Sequence, residues 1–337
     1  SVHVYVGDIN QQIYGFRGVC NPFVAELEQL FVIKRYSLNT TFRFGSQLAH
    51  FTNHFLSTFK PHTCAHVNII SNFPDGEDTT IEPFTNDFND KQETLVTRSN
   101  FELYREAITL SGMGKYVYLL GNQININKEL MITRSLTALE HSRIDAIECE
   151  KIHNFLTSNP LSNIQELWHH FRLMGNSKWN TRIALFRHYG HNLTANWIQL
   201  WSYIVDSPDK ADIILGTAHQ VKGLEFDVVR LAKDFIPLIN LQTRQTNVYT
   251  TQKASEDYNI LYVAITRARK KLILNEELTE VLAQKIGVLN RYISTDESVR
   301  CNSCGVNLTT RKKLTIRFNQ PTIEVPICEF CSPQQIR

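Results

Sequence analysis

Apolar and polar positions repeat along this chain with two different periods, and the change from one to the other divides it. Short apolar runs bounded by polar turns occur at residues 2–6, 31–38, 66–70, 94–97, 213–215, 227–231 and 271–274. Runs of this length and composition predict strands buried on both faces of a parallel sheet. Between them the spacing turns helical. Asn21-Pro22 starts a helix reaching Leu30, a second covers 46–59, Asn100 caps a third, and a fourth carries Tyr258 to Arg269. This alternation predicts an α/β fold. From 122 to 209 the strand signal disappears. Leu130, Ile132, Leu136, Leu139, Ile144 and Ile147, then Trp168, Phe171, Leu185, Trp197 and Trp201, recur at helical spacing. That stretch reads as an inserted helical subdomain.

The opening run needs neighbours on both sides, and the chain begins at Ser1. The expectation is therefore a fragment or a natural truncation, with residues 1–23 ending a first lobe. A second lobe is expected over 24–121 and 210–295, the helical insertion over 122–209, and a distinct tail over 296–337.

Length and composition narrow the class only slightly. With 337 residues, 42% hydrophobic and 20% charged, the chain has material for roughly two soluble globular domains. A formal net charge of +2 means that affinity for nucleic acid must come from local basic and aromatic grooves. No apolar run approaches the roughly 18 residues of a membrane helix, and no charged-then-apolar leader opens the sequence. A soluble, non-secreted chain without a membrane partner is expected.

The candidate chemistry lies in the polar turns. Gln11 follows the Gly7-Asp8 turn, where a neutral amide can hydrogen-bond both a water and a terminal phosphate oxygen. The alternative for this segment is that Gln11 and Gln12 are simply polar turn residues. Arg43, in Thr40-Thr-Phe-Arg-Phe-Gly45, lies just ahead of a helix, and Arg267, in Ile265-Thr-Arg-Ala-Arg269, is expected within one. A planar, permanently charged guanidinium can stabilise the charge that phosphoryl transfer spreads over a γ-phosphate. A surface ion pair or a snorkelling side chain is the commoner use of arginine. Tyr14 and Phe16 flank Gly15, placed either to stack bases or to fill a core. No Gly-x-x-x-x-Gly-Lys-Ser/Thr loop and no Asp-Glu-x-x-Asp motif occurs in the sequence. Gly112-Met-Gly-Lys115 is a decoy, because Thr109 stands in place of the first glycine and Tyr116 in place of the hydroxyl residue.

Cys301-Asn-Ser-Cys304 and Cys328-Glu-Phe-Cys331 form two Cys-x-x-Cys pairs with strand-like segments between them. Four thiolates so spaced can close a tetrahedral, structural Zn²⁺ site of the ribbon type; two disulfides or free thiols are the alternative.

Three segments taken together, Val6 to Gly18, Thr217 to Phe226 and Tyr262 to Arg269, resemble the motor motifs of UvrD-like superfamily 1 DNA helicases. Gln11-Gln-Ile-Tyr14, Thr41-Phe-Arg-Phe-Gly45, Lys222-Gly-Leu-Glu225 and Asn259-Ile-Leu-Tyr-Val-Ala264 narrow the resemblance to the eukaryotic F-box DNA helicases. The resemblance implies a RecA-like parallel-sheet helicase lobe with an inserted helical subdomain and a small zinc-ribbon-like tail. It further implies the C-terminal part of an ATP-dependent 3′–5′ DNA helicase, nuclear, acting on recombination or stalled-fork intermediates. Its cofactors would be ATP with Mg²⁺, completed by an N-terminal lobe, and structural Zn²⁺. By resemblance Gln11, Arg43 and Arg267 serve catalysis, and Glu225 joins them at the nucleotide. Tyr14, Phe16, Arg98, Asn100, Thr217, His219 and Lys222 face DNA. Implied partners are single-stranded and forked DNA and recombination proteins, with ubiquitin-ligase subunits only if an upstream F-box exists. Without phosphate loop or acidic motif, the chain alone is expected not to hydrolyse ATP. Two other classes stay open: a catalytically dead DNA-binding clamp, and a zinc-ribbon module for protein contacts.

Overall fold

In a computed structural model of the chain, the structure describes residues 4, 6–15, 34, 36–60, 68–73, 78–88, 91–121, 124–159, 163–235 and 252–279, with backbone alone at 252–254, 313–317 and 322–326. It packs as two compact units, Ser1–Asn89 with Val221–Arg337, and Asp90–Gln220.

The first unit has a parallel sheet of β3 (Thr80–Glu82), β7 (Phe226–Leu231) and β8 (Ala268–Ile273), with β8 pairing both others. A two-stranded parallel pair joins β1 (Thr40–Thr41) to β2 (Ile70–Ser71). Helix α1 (Ser46–Phe59) turns Leu48, Phe51, Phe55, Leu56 and Phe59 inward, a spacing of three and four that puts them on one face. They meet helix α9 (Gln252–Ile265), where Tyr258 stacks on Phe59 at 5.3 Å and meets Phe55 edge-on at 6.3 Å. This aromatic contact fixes α9, and with it the residues that follow.

The second unit holds β4 (Glu93–Thr97), β5 (Val117–Leu119) and β6 (Ile213–Thr217), with β6 parallel to both others. Every residue of β4 and β6 is buried, the polar Glu93, Thr94 and Thr97 included, as in strands covered on both faces of a parallel sheet. Helix α2 (Asn100–Gly112) follows β4. Between β5 and β6 run α3 (Ile126–Glu140), α4 (Glu150–Ser158), α5 (Ile164–Leu173), α6 (Ser177–Tyr189) and α7 (Leu193–Tyr203). Phe171 stacks on Trp179 at 4.6 Å, and Trp197 packs edge-on against Tyr104. Helix α8 (Ala218–Val221) follows β6. In the tail, β9 (Lys313–Arg317) and β10 (Thr322–Pro326) pair antiparallel.

The α/β parallel sheet is as the strand runs anticipate, with four local departures. Val4 and Val6 are exposed and outside any strand, because an apolar run becomes a buried strand only when neighbours bond to it. Of the strand expected at 31–38, the described Lys34, Tyr36, Ser37 and Leu38 are exposed and not in a strand, and the helix expected at 21–30 lies outside the described residues. Ser99, not Asn100, caps α2, its Oγ accepting the Glu102 N–H at 3.2 Å. The final helix ends at Ile265, so Arg267 sits in the turn before β8.

Candidate functional site

In the first unit, one helix end gathers the cations. Arg43 follows β1, its Nε donating to Glu225 Oε1 at 2.7 Å and its Nη1 to the Thr266 carbonyl at 3.4 Å. Its position depends on Gly45, the residue before α1. Gly45 N–H donates to Thr79 Oγ1 at 2.7 Å, and a Cβ there would lie 2.5 Å from the Thr79 nitrogen. Asp78 caps α1 from a distance, accepting from the Gln47 N–H at 3.0 Å and the Ser46 hydroxyl at 2.8 Å.

Arg267 is 1% exposed. Its Nε donates to the Val263 carbonyl at 2.9 Å, Nη1 to the Leu224 carbonyl at 3.3 Å, and Nη2 to Thr266 Oγ1 at 3.0 Å. The side chain thus curls over the C-terminal end of α9, where carbonyls lack helical partners and the dipole favours a cation. All three acceptors are neutral. Burial, and after it the Arg43 cation, pull the Arg267 guanidinium down to about 10, against weaker opposing effects of Tyr262, Glu225 and Asp8. It is charged at neutral pH, but at a desolvation cost that an anion beside it would offset.

Gln11 occupies a short 3₁₀ turn, Ile9–Gln11, capped by Asp8, which accepts from the Asn10 N–H and the Gln11 side-chain amide at 2.8 Å each. Tyr262 OH reaches the same carboxylate at 3.4 Å. Lys222 Nζ donates to the Gln11 carbonyl at 2.8 Å and stands 5.0 Å from the centroid of the Tyr14 ring. Burial first, then Arg267, lower the Lys222 ammonium from its usual range, while Asp8 opposes the shift. The next residue, Gly223, turns the chain at φ +88°, a left-handed conformation that a side chain would strain. Among the described residues, Asp8 and Glu225 are the carboxylates that bear on Arg43, Lys222 and Arg267, an arrangement suited to an anion.

The second unit holds a different set. Thr97 pairs with Thr217 at the C-terminal ends of neighbouring parallel strands, where ligands of open α/β sheets bind. Arg98 follows β4, Asn100 begins α2 and His219 lies in α8; all three are partly exposed. Thr217 is 6% exposed, and its N–H and hydroxyl both donate to Gln220 Oε1, at 2.7 and 3.0 Å. The Gln220 side chain thus reaches back to the Thr217 N–H, the Gln half of a capping box. Gly112 to Lys115 lie at the C-terminal end of α2, the wrong pole of a helix for phosphate.

The structure therefore brings together Gln11, Tyr14, Arg43, Lys222, Glu225 and Arg267, while Arg98, Asn100, Thr217 and His219 lie at or just beyond the C-terminal ends of β4 and β6. Phe16 and the cysteines Cys301, Cys304, Cys328 and Cys331 lie outside the described residues. Among the described residues no group of His, Cys, Asp and Glu could hold a metal ion. Asp8, Tyr262 and Thr266 join the first cluster without having been singled out by chemistry. The available signal was the four-residue spacing of Tyr262 and Thr266, which puts both on one face of α9.

The UvrD-like helicase C-terminal domain is the family whose model matches, over residues 50–277. The chain belongs to that family. Arg98, Thr217, Glu225 and Arg267 lie inside the matched stretch of the UvrD-like domain; Gln11, Tyr14 and Arg43 precede it. F-box DNA helicase protein 1 of Schizosaccharomyces pombe is 28% identical over 314 residues, covering 85% of this chain and 32% of that protein. F-box DNA helicase 1 of Gallus gallus is 23% identical over 334 residues, covering 93% of this chain and 31% of that protein. This UvrD-like chain spans about a third of the length of these relatives.

Proposed function

We propose that the chain is part of an ATP-dependent DNA helicase that translocates 3′ to 5′ on single-stranded DNA, acting in the nucleus during recombination or fork repair. The observation that carries this reading is the paired guanidiniums of Arg43 and Arg267, one buried on neutral oxygens and the other held by an exposed carboxylate. The residues fit a phosphate chain: cations in excess, a neutral Gln11 amide beside them, and Glu225 free to exchange Arg43 for a sugar hydroxyl. When bound, ATP with Mg²⁺ supplies the transferable phosphoryl group, with a phosphate loop and metal-binding carboxylates contributed from another lobe.

In this reading Arg43 and Arg267 stabilise charge on the terminal phosphate, and Gln11 orients the attacking water through an amide that Asp8 keeps in place. Tyr14, Phe16 and Lys222 hold single-stranded DNA by stacking and phosphate contact. Arg98, Asn100, Thr217 and His219 form further contacts to the DNA backbone. Partners are single-stranded and forked DNA and recombination proteins. Alone, the chain binds DNA without turning over ATP. The purified chain should bind a single-stranded oligonucleotide with affinity falling steeply as salt rises, and release no phosphate from ATP. Absence of DNA affinity would favour a protein-contact module instead.

The β9–β10 hairpin between the two Cys-x-x-Cys pairs supports a structural Zn²⁺ held by Cys301, Cys304, Cys328 and Cys331. Metal analysis should find one zinc per chain, lost in Cys304→Ser; a zinc-free wild-type chain rules the ribbon out.

A further inference from the structure

The turn that presents Gln11 is gripped from behind by two buried side chains, Asn259 and Lys60, to which the motif resemblance assigns no role. Asn259, 4% exposed in the middle of α9, donates through Nδ2 to the Ile9 carbonyl at 3.0 Å and to the Gln12 carbonyl at 2.8 Å. One amide group thereby spans both ends of the turn. Lys60, 5% exposed at the end of α1, donates to Asn10 Oδ1 at 2.9 Å and to Asn259 Oδ1 by a shorter bond. Asn10 is itself 2% exposed, and the Ile13 side chain is fully buried. Asn10 and Ile13 therefore point inward, leaving Gln11 between them to face out. Glu256, one helical turn before Asn259, accepts the Gly15 N–H at 2.6 Å and fixes the chain beyond.

Burying an ammonium and two amides costs free energy unless their hydrogen bonds are made, and the bonds of Lys60 and Asn259 to this turn help to meet that cost. We propose that Asn259 and Lys60 are positioning residues that hold the 9–12 turn so that the Gln11 amide meets its target, a role resting on the reading of Gln11 given above. The orientation is set from α1 and α9 together, so either helix moving carries Gln11 with it.

The test uses Asn259→Asp, which keeps an oxygen for Lys60 but removes both donors to the turn, in the protein at its natural length. DNA-stimulated ATP hydrolysis should lose about tenfold or more in kcat with KM little changed. Combined with Gln11→Ala, the second substitution should add less than about twofold, because both remove the same contribution. Amide exchange at Asn10, Gln11 and Gln12 should quicken in Asn259→Asp, and also in Lys60→Met, which keeps the aliphatic stem should the first variant fold poorly. Losses that multiply in the double variant, or unchanged exchange in both clamp variants, overturn the proposal. A wild-type protein without ATP hydrolysis would sink the functional reading alone, and the exchange experiment would still decide the clamp.

Discussion

A guanidinium buried on carbonyl oxygens is an expensive arrangement, and Arg267 is this molecule's instance of it. Its pKa, lowered to about 10, means that the folded state carries a desolvation cost while Arg267 is charged. Because the folded value lies below the unfolded one, that cost is present below pH about 10 and relieved above it. A bound anion would restore the guanidinium to its ordinary range, so phosphate-bearing ligands should raise the thermal midpoint. Glu225 behaves differently. Its bond to Arg43 is partly exposed, at 42% and 28%, and such pairs contribute about 0–1 kcal/mol. Glu225→Ala should therefore leave the melting temperature nearly unchanged while weakening nucleotide binding, as read by titration with a fluorescent ATP analogue. Tyr14→Ala should weaken single-strand binding by about 1–3 kcal/mol, the value of one stacked base. Unchanged affinity in a DNA-binding titration would assign the ring to packing alone.

At the scale of elements, repeating signals were legible in the sequence and local terminations were not. The 46–59 helix has the observed bounds because Leu48, Phe51, Phe55 and Phe59 declare its period. The strands β4, β6 and β7 were visible as short runs bounded by polar turns, buried throughout in β4 and β6 and over Val229–Leu231 in β7. Arg267 was misplaced into a helix because Thr266-Arg-Ala268 contains no Gly, Pro or Asn to mark the end of α9. The cluster's partners were hidden by separation: Arg43 meets Glu225 across 182 positions and Lys222 meets Gln11 across 211. Motif resemblance named these residues, but only the fold shows Asp8 and Asn259 serving Gln11. Two substitutions separate support from chemistry at this scale. Ser99→Ala removes the α2 cap and should cost about 1 kcal/mol with nucleotide affinity unchanged. Gly45→Ala forces a Cβ against Thr79 and Asp78, should cost about 1–3 kcal/mol, and should also weaken nucleotide binding by displacing Arg43. Calorimetry and the same ATP titration distinguish the two outcomes.

For the whole molecule, a formal charge of +2 hides the local imbalance that matters, three cations gathered by α1, α9 and the segment before β7. The chain spans about a third of the length of its helicase relatives, and in the proposed reading its cations would act together with residues of another lobe. The decisive measurement is DNA-stimulated ATP hydrolysis by the natural-length protein with Arg43 and Arg267 both changed to alanine, alongside a melting curve showing that it folds. Arginines acting on the terminal phosphate predict a fall of about 10³-fold or more in kcat. Turnover within about tenfold of the wild type, a loss worth only about 1.4 kcal/mol, would contradict the account.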